Sequence, residues 1–520
     1  MGCPQVMAES LVVIEAPGKR SGLSDVLWRA GMRDFEVLAT AGHIATNPAR
    51  LTPLGITSSF RETAYAIRED RRAVCERIRE AAQNTAGRIY LATDDDQEGD
   101  VIARDVWRMV ISPEDRGRVL RVRLRALSPT EVQSAFAAAV PFDPLSAAKG
   151  DARRVLDRLV GALSSAEGAV GRVQGSLLLA LTQQRPVVGV ATFMATADDG
   201  GEPWIAQQAV HAGETPAAPE LLDVGLSVGS SVESTVGARP MNYGEIVLSA
   251  SVETGAEIAD VAKAMQTLYE RGQMTYPRSS AQALSVESAR RLEVIAKMNG
   301  AAFDAERFTA VRAMGLEVEH GHEAPNPAAF DIPLNRDAML LSLPEQVLVH
   351  IARNLVDCGV RCAIEQPALG SLQRLPDGLA GLPWHRKTEV GLRLYPVVAP
   401  EAGFKQWTQE QSLLHLMHKN GLGRPSTVVE HVNKFATRGL VDGGFELTAK
   451  GRDWCANVGQ LFSHQNLARL VEEYLETHRD PAALMVADMV EKFGIPVGTS
   501  DGMPFDQEYE DEQENTFQAS

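Results

Sequence analysis

Leu91-Ala92-Thr93-Asp94-Asp95-Asp96-Gln97-Glu98-Gly99-Asp100 is the stretch from which the rest of this chain can be read. The apolar run Ile89–Ala92 leading into it predicts a buried strand. Acids at alternate positions share one face of an extended backbone. Asp94, Asp96 and Glu98 are therefore expected to converge at the carboxyl edge of a sheet, where open α/β folds place their ligands. Carboxylates this close repel unless a cation sits among them, and hard oxygen donors with room for water suit Mg²⁺. A plainer reading is an acidic turn capping a helix opened by Glu98-Gly99-Asp100.

Residues 11–19, LVVIEAPGK, predict a second strand that delivers Glu15 and Lys19 at its end, and AGHI follows at Ala41–Ile44 with His43. A strand tipped by an acid, then a distant strand ending in D-x-D-x-E, resembles the TOPRIM domain of type IA topoisomerases, primases and some nucleases. Further along, Val261, Met265 and Leu268 fall on one helical face, Gly272 is a natural helix stop, and Pro277 blocks continuation. The segment they frame, RGQMTYPRSS at 271–280, resembles the nucleophile loop of type IA topoisomerases, with Tyr276 two residues before Arg278. ARRVLDRLVG at 152–161 and VGRVQ at 170–174 resemble that family's DNA-groove helices. GLGRPSTVVEHVNKFATRGLV at 421–441 resembles its GRPST helix. The resemblance runs in order from about residue 10 to about residue 490.

What it implies is a multidomain chain of α/β, α and β parts: a doubly wound TOPRIM domain followed by a toroidal type IA topoisomerase core. The expected division is a disordered lead at 1–9, TOPRIM at 10–137, and a helical DNA-groove domain from 138–187 and 408–492. A strand-rich arch from 188–250 and 366–407 and a helical domain at 251–365 with the nucleophilic tyrosine follow, with an acidic disordered tail at 493–520. The implied reaction is cleavage of one DNA strand by Tyr276, giving a 5′-phosphotyrosine, then strand passage and resealing, with no ATP. A tyrosine hydroxyl, with a pKa near 10, is a poor nucleophile without positive charge beside it. Arg278 can grip a phosphate oxygen, Lys19 can meet charge building in the transition state, and Glu15 can protonate the leaving oxygen. Mg²⁺ would be held by Asp94 and Asp96, with Glu98 and Glu15 nearby. His322 matches the family's His-Glu-Ala motif, although a lone histidine in a glycine-rich loop is otherwise a surface residue. The implied DNA contacts are His43, Arg153, Arg154, Asp157, Arg158, Gly171, Arg172, Gln174, Arg424, Ser426 and Thr427. Alone, Arg153, Arg154 and Asp157 would read as a surface ion-pair helix, and Ser426 or Thr427 as the cap of a helix holding Pro425 in its first turn.

Composition sets the outer bounds. A chain of 520 residues is too long for one core, and 44% hydrophobic content is ordinary for globular domains. No run approaches the apolar length of a membrane span, and the N-terminus has no basic-then-apolar leader, so a cytoplasmic, nucleoid-associated protein is expected. Of the five cysteines only Cys358 and Cys362 are close, too few for a four-ligand zinc site, so no zinc is expected. The net charge of −17 includes six acids within 506–520, where there is no base, leaving −11 on the remainder. Local charge decides DNA binding, and basic clusters stand at Arg118, Arg121, Arg123 and Arg125, at Arg153, Arg154 and Arg158, and at Lys434 and Arg438. The partner is expected to be DNA, single-stranded or negatively supercoiled, acted on by a monomer.

The chain departs from the family pattern at Gln97, where Arg is usual, at Ser279-Ser280 for Thr-Asp, at Pro325-Asn326-Pro327 for Ile-Arg-Pro, and at Ala126 for Glu. Its motif style mixes the decatenating and relaxing branches. Two other readings stand beside the main one. A TOPRIM nuclease or primase would leave Tyr276 and GRPST without work, and a non-catalytic single-strand-binding relative would fit the departures.

Overall fold

A computed structural model describes residues 9–496 apart from 52, 125–128, 164–169, 216–220, 235–238, 302, 305–307, 309–322, 338–339, 361, 390–400 and 463–464. Two compact units share the chain: residues 1–179 with 453–520, and residues 180–452.

The first unit opens with β1 (Ser10–Ile14), α1 (Lys19–Arg29), β2 (Phe35–Ala39) and the small antiparallel pair β3 (Ala45–Thr46) and β4 (Ala66–Ile67). It continues through α2 (Arg72–Asn84), β5 (Ile89–Leu91), α3 (Gln97–Asp105), β6 (Val119–Arg121), α4 (Pro129–Ala137) and β7 (Val140–Pro141). The sheet order is β2-β1-β5-β6-β7, parallel except for β7. Alternation along β1 explains the layering. Leu11 and Val13 pack with Cys75 and Ile78 of α2 and Ala103 of α3, while Val12 and Ile14 pack with Leu23 and Leu27 of α1 and Val132 and Phe136 of α4. All of these are buried, each worth roughly 1.5–3 kcal/mol for the larger side chains. Parallel strands covered on both faces are what near-continuous apolar runs such as LVVI require. The chain then forms α5 (Ala148–Leu163) and α6 (Arg172–Gln183).

The second unit begins with β8 (Val187–Ala197), β9 (Trp204–His211), β10 (Leu221–Leu226) and β11 (Val228–Ser234). Among the described residues the helices that follow are α7 (Tyr243–Thr254), α8 (Ile258–Glu270), α9 (Val286–Met298) and α10 (Leu343–Asp357). After β12 (Cys362–Pro367), β13 (Arg386–Glu389) and β14 (Gly403–Gln406) come α11 (Gln409–Lys419) and α12 (Val428–Thr437). β8 pairs with β9, β10 and β14, and β12 lies between β11 and β13, so the two strand-rich stretches are joined by pairing. Trp204 is fully buried in the first of these sheets, its indole N–H donating to the Leu226 carbonyl at 2.9 Å. α13 (Ala449–Phe462), α14 (Leu467–Thr477) and α15 (Ala482–Lys492) complete the chain, and from Asp453 onward it belongs to the first unit again. The stretch 408–492, expected as one helical piece, is therefore divided at 452/453, with α11 and α12 in the second unit. The expected tail lies almost wholly outside the described residues. No helix among the described residues is long and apolar enough to cross a membrane.

Candidate functional site

The acidic turn of the first unit is built at the carboxyl end of β5. Asp94 makes a single bridge to Leu124, and α3 starts at Gln97. The extended backbone thus ends sooner than the acids do, and the alternation expected through Glu98 is broken. Asp96 is the N-cap of α3, its side chain accepting from the Gly99 N–H at 2.7 Å. Glu98 sits in the first helical turn and faces His43 at 3.1 Å. Glycine at 99 is required by close approach, since a Cβ there would lie 2.1 Å from the Asp94 carbonyl oxygen. Asp94 meets Lys19, whose ammonium donates to it at 2.5 Å with both side chains buried. Lys19 opens α1 just beyond Glu15, which is half-buried. His43 is brought in by a turn with Ala41 at φ 58° and Gly42 at φ 88°, and Ala41 N–H donates to the Glu15 carbonyl. Burial pulls the His43 imidazole down, but the bond to Glu98 and the charges of Glu98, Glu15 and Asp105 outweigh it, and its pKa stands above the ordinary value.

Two arginines counted in the sequence as a basic cluster instead brace this turn from within. Arg121 is buried at the end of β6. Its guanidinium donates to Asp100 at 3.0 Å and to the carbonyls of Leu91, Thr93, Asp94 and Val122 at 2.8–3.1 Å. Arg123 bonds Asp95 at 2.6 Å and Asp100 at 3.2 Å. Arg118 is likewise spent on Asp115 and on the carbonyls of Ala82, Thr85 and Gly87. Arg125 and Ala126 lie outside the described residues.

The side chains of α5 and α6 expected to contact DNA are engaged within the chain, with partners far away in sequence rather than on a surface ion-pair helix. Arg153 binds Glu472 of α14 through Nε at 2.9 Å and Nη2 at 2.5 Å, and its Nη1 donates to Gln97. Arg154 binds Glu62 and Asp151 and lies 3.9 Å over the Tyr65 ring. Burial pushes the Glu62 carboxyl up, but Arg154 and Asn47 outweigh this and hold it below the usual range. Arg158 donates to the carbonyls of Pro48, Arg50 and Leu54. Arg172 bridges Asp157 at 2.9 Å and Glu472 at 3.1 Å, and Gln174 is buried beside it in sequence. A Cβ at Gly171 would meet nothing within 4 Å, so that glycine is not demanded by packing within the chain. Long-range partners decide this, carboxylates for Arg153, Arg154 and Arg172 and backbone carbonyls for Arg158, and sequence reading missed Glu62 and Glu472 because nothing local marks them.

In the second unit the C-terminal end of α8 delivers Tyr276. Gly272 takes φ 67°, as the helix stop requires. The chain then pairs with 324–328: Thr275 N–H donates to the Asn326 carbonyl at 2.9 Å, Asn326 N–H to the Thr275 hydroxyl at 3.0 Å, and Ala328 N–H to the Gln273 carbonyl at 2.9 Å. Arg291 of α9 ties down the second strand of this pairing through the Asn326 side chain at 3.2 Å and the Pro327 carbonyl at 2.9 Å. Tyr276 is buried, edge-on to Tyr269 at 5.5 Å between ring centres. Burial raises the Tyr243 hydroxyl pKa, and the charge of Arg278 opposes that rise, so Arg278 lies within electrostatic reach of it. His322 lies outside the described residues, whereas Glu323 of the same motif accepts from Ser285 N–H and Ser288 Oγ at 2.8 Å. The GRPST helix begins later than expected: Thr427 is the N-cap of α12, without a side-chain capping bond, and Pro425 precedes the helix. Arg424, Ser426 and Thr427 are half-buried. Their helix packs on α8, which leads to Tyr276.

Among the described residues no three His, Cys, Asp or Glu side chains form a ready cage for a metal ion. Mg²⁺ does not ask for one, since one or two carboxylates completed by water and phosphate oxygens satisfy it. Asp94, Asp96 and Glu98 supply that donor type.

Comparison with known proteins follows the same lines. Residues 10–125 match the Toprim domain. A plasmid DNA topoisomerase I of Xylella fastidiosa is 26% identical over 355 residues, covering 62% of this chain and 51% of that one. DNA topoisomerase 1 of Escherichia coli is 23% identical, covering 84% of this chain and 59% of its own. The chain thus spans little more than half the length of either relative. The solved full-length topoisomerase I of Thermotoga maritima shares the fold, with a TM-score of 0.63 at 18% identity over 93% of this chain and 89% of that one. Taken with the Toprim turn and the order of the motifs, these likenesses show that the chain carries a Toprim domain and is similar over most of its length to DNA topoisomerase I proteins, whose fold it shares.

Proposed function

We propose that the chain cuts and reseals one strand of DNA through Tyr276, relaxing negatively supercoiled DNA or decatenating it without ATP. The observation that carries the reading is the pinned loop Met274–Ser279. Gln273–Thr275, just before the tyrosine, pair with 326–328, and the Ser279 carbonyl, just after Arg278, accepts from the Tyr243 N–H, in a chain whose other unit contains a Toprim domain. In the forward step the Tyr276 hydroxyl gives up its proton to water as its oxygen bonds to phosphorus, and the bond from phosphorus to the 3′ oxygen breaks, leaving a 5′-phosphotyrosine. Glu15 donates the proton that the 3′ oxygen takes up, and on resealing it accepts that proton back. Lys19 and Arg278 stabilise the charge on the non-bridging oxygens, Lys19 from a site where Asp94 already fixes its direction. His322 completes the set by contacting the same phosphate. Asp94 and Asp96, with Glu98 and Glu15 nearby, would hold Mg²⁺, which when bound aligns the 3′ hydroxyl and the phosphotyrosine for resealing. His43, the α5 and α6 residues and the Arg424–Thr427 turn serve the single strand, the buried arginines by exchanging their present partners for phosphate. The protein acts as a monomer on single-stranded or underwound DNA in the nucleoid, with no zinc.

Incubation with 3′-end-labelled single-stranded DNA, whose label stays on the fragment joined to the tyrosine, followed by denaturation tests this. Covalently labelled protein is expected from the native chain and none from Tyr276→Phe, which keeps the ring and the binding surface. A cleaved strand carrying no protein would mean a Toprim nuclease, and binding without cleavage at any Mg²⁺ level would mean a non-catalytic relative.

A further inference from the structure

The proposed DNA-binding residues Arg153 and Arg172 already hold an anion in this structure, and it is the protein's own. Glu472 receives Arg153 Nε on both oxygens, at 2.9 and 3.0 Å, and Arg153 Nη2 at 2.5 Å. Arg172 Nη2 reaches its other side at 3.1 Å. Two planar guanidinium forks closing on one oxyanion form the donor arrangement that grips a phosphodiester. With Asp157 on Arg172 at 2.9 Å, two cations face two carboxylates and the cluster offers no net charge to DNA. Gln97 accepts from Arg153 and adds no charge.

We infer that Glu472 is a built-in stand-in for the DNA backbone, a carboxylate that occupies the Arg153–Arg172 phosphate site and must swing out before a strand can bind there. The inference rests on the DNA-binding reading of these arginines. The backbone of α14 does not need to move. It is anchored by Arg172 donating to the Ala468 carbonyl at 3.3 Å and by Ala468 N–H donating to Ser176 at 3.1 Å. Only the side chain must turn, and it has somewhere to go: Glu472 is 21% exposed, whereas the Arg153 and Arg172 side chains are 8% and 4% exposed. The latch would lower affinity for any strand that does not supply a phosphate at that position, and so favour a correctly seated one.

The test is single-stranded oligonucleotide affinity against salt for the native chain, Glu472→Gln and Glu473→Gln. Glu473 is the exposed neighbour that pairs with Arg469 and touches neither arginine. Freeing one or two cations should steepen the salt dependence by roughly 0.7–1.4 in log–log slope. That corresponds to about tenfold or more tighter binding at about 50 mM salt, converging near about 1 M. Glu473→Gln should change neither. Unchanged or weaker binding by Glu472→Gln would show that Glu472 only positions the arginines and would overturn the inference. An equal gain in Glu473→Gln would reduce the effect to net charge and also overturn it. Should Glu472→Gln melt early, Glu472→Asp, which keeps the charge but retracts it by one methylene, must bind more tightly than the native chain or the inference falls. A native chain that binds no single strand at any salt would remove the DNA-binding reading itself.

Discussion

Arg121→Met is the most exacting test of how the acidic turn is held. Methionine fills much of the same space and removes every donor. Left behind are the Asp100 carboxylate and the carbonyls of Leu91, Thr93, Asp94 and Val122, all bonded by this one guanidinium. Breaking a buried ion pair from one side costs about 3–5 kcal/mol, and a stranded buried acceptor about 1–3 kcal/mol. The costs do not add, because Arg123 still reaches Asp100 and the turn can relax. A loss of about 4–6 kcal/mol from the first unit is expected, a large share of the roughly 5–15 kcal/mol a domain has. For a unit of this size the transition should fall by roughly 10–20 °C. Differential scanning calorimetry, with the two units followed as separate transitions, measures this. Arg121→Lys, which keeps the charge but not the fork, should fall between native and Arg121→Met. If Arg121→Met costs less than about 1 kcal/mol, the idea that this side chain organises the turn is wrong.

Glu245 sets an acid limit on the second unit. Burial pushes its carboxyl up, but His418, the Asn242 N–H and Arg239 outweigh that and bring it down to about 2 from 4.5. A depressed folded-state value means the stabilisation is complete above about pH 4.5 and is lost as pH falls through about 2, and it amounts to on the order of 2–3 kcal/mol. Glu245→Gln should therefore flatten the acid-unfolding profile in that window, followed by circular dichroism, and matching slopes in the two proteins would refute it. Asp94→Asn combined with Asp96→Asn should impair relaxation more than adduct formation and shift the Mg²⁺ requirement upward; normal plasmid relaxation at limiting Mg²⁺ would refute the metal assignment.

Apolar runs made much of the first unit legible. LVVI lies within β1 and IYL forms β5, and their alternation set which helices cover which face. The Tyr276 loop was legible because glycine and proline bracket it. What failed were inferences from local spacing about charge. The alternation of Asp94, Asp96 and Glu98 assumed a strand that in fact gives way to a helix at Gln97, since capping α3 satisfies N–H groups that an extended chain would leave open. The arginines of ARRVLDR looked solvent-facing because their partners lie far away in sequence, Glu62 some ninety residues before Arg154 and Glu472 some three hundred after Arg153. No periodicity encodes such pairs. The loop role of Asn326 was hidden for a related reason. It replaces an arginine of the family pattern, and only its bonds to Thr275 and Arg291 show it bracing the nucleophile loop.

The division of the first unit between the two ends of the chain has a consequence for its synthesis. Ala180–Arg452 must leave the ribosome before α14 and α15 can join α5 and α6. At usual elongation rates that interval lasts tens of seconds. Throughout it, the face of α5 that α15 will cover stays open, and Arg153 and Arg172 have no Glu472 to receive them. The nascent chain therefore carries an uncovered apolar face beside unpaired cations while the whole inserted unit is made and folds. In that window it is most in need of a chaperone and most able to capture stray nucleic acid.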